Sequence, residues 1–256
     1  MKHSDRTGIG GRQEAFPRTD WAQVLRARTL TPGRRQQAVG AVAEQYWKPV
    51  YCYLRRKGKD NEEAKDLTQG FFCEVVLGKD LIQQADADKG RFRTFLLTAL
   101  DHYVGMEWRK GNRLKRRPEG GVIPLDAFDE PPAVPAGNAT PEEAFAYAWA
   151  SRLLDEVIDD VEAGCREDGY EKHWEVFRQR VLEPLLSGAS QPSLAQLCDE
   201  LGIGDTGQAS NMGTTVRRRY KLAIRRRMRE FVDSDEEVGQ EIRELMKILS
   251  KGGAGG

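Results

Sequence analysis

Three groups of side chains in this 256-residue chain combine type and spacing in ways that could do chemistry. In the stretch EEAKDLTQGFF, from Glu62 to Phe72, Asp66 and Gln69 lie three residues apart on one helical face, with Thr68 beside them. Leu67, Phe71 and Phe72 recur at the spacing of a face turned to a core. A carboxylate, an amide and a hydroxyl share another face, which packing against a core leaves unexplained. The second group is KGRFRTFLL with EWRKGNRLKRR downstream, where basic and aromatic residues interleave. That mixture suits a strand of unstacked bases, because phosphates meet charge while bases meet aromatic faces. The third is the junction LGIGDT, where a short helix stops at Gly202 and a long basic helix capped by Thr206 begins. This is helix-turn-helix grammar, in which the second helix enters a DNA major groove. Its solvent face would show Gln208, Ser210, Asn211, Thr214, Arg217 and Arg218, whose amides, hydroxyls and guanidinium groups can reach base edges and phosphates. An ordinary basic helix on a bundle, or solvated charges around core phenylalanines, would give the second and third patterns too.

Charge supports the nucleic-acid reading. Lys plus Arg and Asp plus Glu balance at 40 each, yet the two signs are segregated. Gly105 to Arg117 holds six basic residues against one acidic, and Thr206 to Phe231 eight against one. Pro118 to His173 reverses to three basic against fourteen acidic. Such blocks suggest basic modules for a polyanion joined by acidic or solvating segments. The four cysteines (Cys52, Cys73, Cys165 and Cys198) and three histidines are scattered, so no metal ligand set and no cofactor is expected. Phosphate-cradling glycine loops and Ser/His/Asp arrangements do not stand out, so the chain is read as a non-enzyme. It shows no apolar run resembling a signal peptide or membrane span, which predicts a soluble, cytoplasmic protein with no membrane partner.

The elements that must position these groups read as all-α, in two helical domains. Residues 1–15 are polar and predicted to be disordered. A first domain covers 16–117, with Val39, Val42, Tyr46, Val50 and Leu54 at helical spacing broken only by Pro49. Gly58 ends that helix, and Asp60 or Asn61 caps the next. Residues 118–140 form a flexible linker, because the stretch from Arg117 to Glu143 carries six of the eleven prolines. The second domain spans 141–232. Thr140, Pro141, Glu142 and Glu143 mark its start, with helices expected over 141–163, 170–187, from Ser193 to Gly202, and from Thr206 to Val232. Residues 233–256 are an acidic helix (Asp235 to Leu249) and a glycine tail. The six acids from Asp233 to Glu244 are expected to shield the Arg217–Arg229 surface.

Two nucleic-acid surfaces joined by a linker say more together than either does alone. YWKPVYCYLRRKGKDNEEAKDLTQGFF, GRFRTFLLTALDHYVGMEWRK and SLAQLCDELGI…TTVRRRYKLAIRRRM resemble RNA polymerase sigma factors of the sigma-70 family, extracytoplasmic-function type. The resemblance covers roughly Phe16 to Leu249, and the Asp-x-x-Gln pattern followed by an aromatic is its most specific part. It implies a factor that binds core RNA polymerase through the β′ coiled coil and the β flap, recognises −10 and −35 promoter elements, and promotes melting. Asp66 and Gln69 then fall on the β′-docking pair. Lys89, Gly90 and Arg91 fall in the loop that receives a flipped-out base, and Phe92, Arg93 and Phe95 begin the helix beside it. Arg109, Lys110 and Arg113 would hold phosphates of opened DNA. Thr206, Gln208, Ser210, Asn211, Thr214, Arg217 and Arg218 fall on the −35 helix.

Gly70 stands where many such factors carry glutamate, Phe95 where tryptophan is frequent, and the turn GIGDTG is about one residue longer than usual. The thinner acidic patch suggests phosphorylation of Thr68 by a Ser/Thr kinase, adding roughly −1.5 to −2 charges. An anti-sigma factor is a further partner that this resemblance suggests. The competing expectation is a conventional helix-turn-helix regulator whose N-terminal domain senses a ligand or partner.

Overall fold

The computed structural model describes residues 32–77, 81, 92–111, 139–229 and 234–252. Its helices are α1 (Pro32–Arg56), α2 (Asn61–Gly70), α3 (Phe92–Gly111), α4 (Pro141–Glu167), α5 (Glu171–Phe177), α6 (Glu183–Ser187), α7 (Leu194–Leu201), α8 (Thr206–Arg229) and α9 (Asp235–Gly252). The described residues contain no strand. The expected all-α class therefore holds for them. Residues 1–15, expected to be disordered, and residues 118–138 of the expected linker lie outside the described residues.

Local chemistry accounts for most helix ends. Asp60 caps α2 by accepting a hydrogen bond from the Glu63 amide, and Gly58 turns the chain before it at φ 86°. Thr140 and Glu143 form a reciprocal capping box at α4, with Pro141 at its first position. Ser193 and Gln196 do the same at α7, which Gly202 closes in the left-handed region. Pro49 does not break α1, which runs through it with its apolar side against neighbouring helices. α2 passes directly into a π-helical turn over Phe71–Leu77, and another, Arg178–Leu182, joins α5 to α6.

Among the described residues, helices from both expected domains contribute to one buried cluster. Val42, Tyr46, Val50 and Leu54 of α1, Phe71 and Phe72 of the π turn, and Leu96, Leu100 and Tyr103 of α3 belong to one buried cluster. That cluster also contains Ala144, Phe145, Ala148, Trp149, Ala150 and Leu153 of α4, Ile224 and Met228 of α8, and Val238 and Leu245 of α9. Tyr46 stacks on Phe145 at 6.3 Å between ring centroids, and the Arg93 guanidinium sits 3.8 Å from the Trp149 ring centroid. Arg152 donates to the Glu44 carbonyl. The other end of α4 places Val161 and Cys165 beside Trp174, Phe177, Leu182 and Val216. One 27-residue helix thus contributes to both described clusters.

The cysteines are free thiols, Cys52 and Cys165 buried and Cys73 and Cys198 half-buried. Burial pushes the Cys52 thiol up to about 12, against the opposing pull of Lys48. No described helix is long and apolar enough to cross a membrane.

A shared core predicts one cooperative unfolding transition. Far-UV circular dichroism and tryptophan fluorescence should report the same urea midpoint. Trp149→Ala should lower the stability of the whole unit by roughly 3–5 kcal/mol. Two separated transitions, only one of them shifted by Trp149→Ala, would contradict the shared core.

Candidate nucleic-acid and partner interface

α2 presents its polar face as the sequence led one to expect, with one exception. Asp66 is exposed, Gln69 is half-buried, and Phe71 and Phe72 are buried at 0% and 2% exposure. Their rings meet edge-on at 5.4 Å, so the helix is anchored immediately after its polar stretch. Thr68 is the exception. It is fully buried, and its hydroxyl donates to the Ala64 carbonyl at 2.7 Å. Positions 64, 68, 71 and 72 follow the core-facing stripe, and a threonine can occupy it because its hydroxyl finds a carbonyl one turn back. A kinase cannot reach this group, and a phosphate there would place charge in an apolar interior. The expected phosphorylation of Thr68, and its place on the docking face, are therefore withdrawn.

Gly70 also has a structural reason. An added Cβ would lie 2.1 Å from the Tyr103 hydroxyl oxygen of α3. Tyr103 cannot step aside freely: it is 4% exposed and its ring lies 6.0 Å from that of Phe71. Burial raises the Tyr103 phenol well above its usual range, and the charges of Glu74, Glu107 and Asp66 add to the effect.

The second group of residues divides. Lys89, Gly90, Arg91 and Arg113 lie outside the described residues, as does the Phe92 side chain. Arg93 is 3% exposed beneath Trp149, so its expected contact with DNA does not hold in this arrangement. Phe95 packs half-buried against the core. At the far end of α3, Arg109 is exposed and its Nε donates to the Gly105 carbonyl. Lys110 reaches Glu107 at 2.7 Å and Glu74 at 3.6 Å, so its charge is partly committed within the chain. Trp108 beside them is 68% exposed, a large aromatic surface not singled out from the sequence. Its position could have been read from the buried stripe Leu96, Leu100 and Tyr103, from which residue 108 is displaced.

The third group comes together. α7 and α8 pack through Leu197, Ile203 and Ala209 against Val176 of α5. Gly202 at φ 61° reverses the chain, and the Ile203 amide donates to the Cys198 carbonyl at 2.9 Å. The cap of α8 is Asp205 rather than Thr206: its carboxylate accepts from the Gln208 amide at 2.8 Å, and its carbonyl from the Ala209 amide. This fixes the register that the sequence left open. Thr206, Gln208, Ser210, Asn211, Thr214, Arg217 and Arg218 are all exposed. Arg219 is not their neighbour in function, since it pairs with Asp168 at 2.7 Å and covers the Tyr170 ring. A 130 Å³ cleft runs beside Ser210, Gly213, Thr214 and Arg217 and is also lined by Arg180 and Gln191. Arg180 is held there by its bond to the Pro192 carbonyl at 2.6 Å, a placement no local sequence pattern shows.

The acidic helix does not cover this face. Asp235 pairs with Arg229 at 2.7 Å, and that guanidinium holds its carboxyl below the usual range. The apolar side of α9, through Val238 and Leu245, is built into the main core. Arg217, Arg218, Arg225 and Arg226 remain exposed, so the expected shielding of the whole Arg217–Arg229 surface is not found.

No known protein family matches the chain, and none of the curated proteins or solved structures compared with it matches either.

If Asp205 begins α8, Asp205→Ala should destabilise the protein by about 0.5–2 kcal/mol, whereas Thr206→Ala should cost far less. Urea midpoints of the two variants decide between the two caps.

Proposed function

We propose that this chain is a promoter-specificity subunit of RNA polymerase, a sigma factor of the extracytoplasmic-function type acting in the cytoplasm. The observation that carries the reading is Asp66. Its carboxylate is exposed and makes no hydrogen bond or ion pair among the described residues, while the aromatics that follow it are buried as anchors. An uncommitted charge on a rigid helix face suits docking to a cationic partner, here the β′ coiled coil of core polymerase.

The remaining residues support the same division of labour. Asn211, Ser210 and Gln208 project amides and a hydroxyl suited to base edges of a −35 element. Arg217 and Arg218, with Arg180 across the cleft, are suited to its phosphates. Trp108, Arg109 and Lys110 offer an aromatic face and two cations for the opened −10 strand, beyond the base-receiving loop at Lys89, Gly90 and Arg91. The protein contributes binding energy that is differential between closed and melted promoter, and the phosphodiester chemistry belongs to the polymerase.

The test is in vitro transcription with core polymerase on a pooled genomic template library, with transcript starts mapped. Wild type should start transcripts at a defined set of sites, and Asp66→Ala should reduce their yield about tenfold or more, in line with a lost charged contact. Asn211→Ala should change which sites are used. A protein that shifts specific DNA alone, yet starts no transcript with core polymerase, would be a conventional helix-turn-helix regulator instead.

A further inference from the structure

The glycine at position 70 opens the surface of α2 to a side chain from another helix. Asp66, Gly70 and Glu74 succeed one another at four-residue intervals. Where the middle side chain would stand, the Tyr103 hydroxyl oxygen lies 2.1 Å from the place a Cβ would take. The Tyr103 ring is buried, while its hydroxyl reaches the surface beside Gly70 and makes no hydrogen bond among the described residues. It stands at the place a Gly70 side chain would take, between Asp66 and Glu74 in that four-residue series, and within the field of both carboxylates.

Resting on the reading of α2 as a polymerase-docking helix, we propose that the Tyr103 hydroxyl is itself a docking determinant. With Asp66 and Glu74 it receives a guanidinium group of the β′ partner. The chemistry selects that occupant. A guanidinium brings five donors and no acceptor, and this row supplies carboxylate oxygens and phenol lone pairs. Lys110 meets Glu74 only at 3.6 Å, and Asp66 has no partner among the described residues, so acceptor capacity is left over. A nucleic acid is disfavoured by the carboxylates. The phenol stands in for the acidic side chain that position 70 lacks, at little cost in side-chain entropy because Phe71 and the core already hold its ring.

The experiment titrates fluorescently labelled full-length chain with core polymerase at several salt concentrations. Tyr103→Phe keeps the ring and should weaken binding roughly threefold to tenfold, as for one lost hydrogen bond, with an unchanged urea midpoint. Its salt dependence should match wild type, whereas Asp66→Ala should flatten it, because only the latter removes a charge. Gly70→Ala pushes the hydroxyl aside and should also weaken binding. Adding Tyr103→Phe to it should cause little further loss, a non-additivity that two independent packing defects would not show. Wild-type affinity in Tyr103→Phe, alongside weak binding in Asp66→Ala, overturns the proposal and leaves the docking role of α2 intact. Failure of the wild-type chain to bind core polymerase overturns the functional reading itself.

Discussion

The contact between α4 and the N-terminal helices is the constraint on which the rest of the structure depends. Trp149 cannot be exposed cheaply, and it is buried against helices more than forty residues earlier in the chain. The small residues Ala144, Ala148 and Ala150 let α4 approach α1 closely, and Arg93 closes over the indole. A desolvated cation on a ring of this size contributes about 2 kcal/mol or more. Once α4 is held there, its far end must carry the second cluster, and α5, α7 and α8 follow from it. The position of the outward face of α8 is thus set by an aromatic residue near the start of α4.

Within α8 the same economy decides which cations remain available. Arg217, Arg218 and Arg219 are adjacent in sequence, but the helix turns the third toward Asp168 and Tyr170. Farther along, Arg227 pairs with Glu156 of α4 at 2.6 Å and Arg229 with Asp235. These exposed or half-exposed pairs contribute little stability individually. Their effect is on the shape of the surface potential: part of the arginine run stitches helices together, and the remainder faces outward. The acidic C-terminal helix belongs to the stitching, with its apolar side supplying core.

Much of this was legible in the sequence, and what was not has a common cause. Helix ends at Thr140, Ser193, Gly202 and Gly58 were readable because capping is settled by residues within four positions of one another. The outward stripe of α8 was readable from helical period alone. The cap at Asp205 was missed by one residue because aspartate and threonine both satisfy the local rule, and only backbone geometry chooses between them. Arg93 looked like a DNA contact because nothing in its neighbourhood announces Trp149. Thr68 reads as surface by its polarity, yet it stands on the core stripe and its hydroxyl bonds one turn back. Proline content near residue 141 describes the connection there and says nothing of the core, to which described residues on both sides of it contribute.

The closeness of Gly70 and Tyr103 also constrains how this chain could diverge. A larger residue at 70 crowds the Tyr103 hydroxyl, and removing the tyrosine first leaves a hole beneath α2. The two positions are epistatic: an acidic side chain at 70 becomes accessible only along a path that first shortens residue 103. The order of substitutions between a glycine-bearing and a glutamate-bearing surface is therefore written into a single interatomic distance.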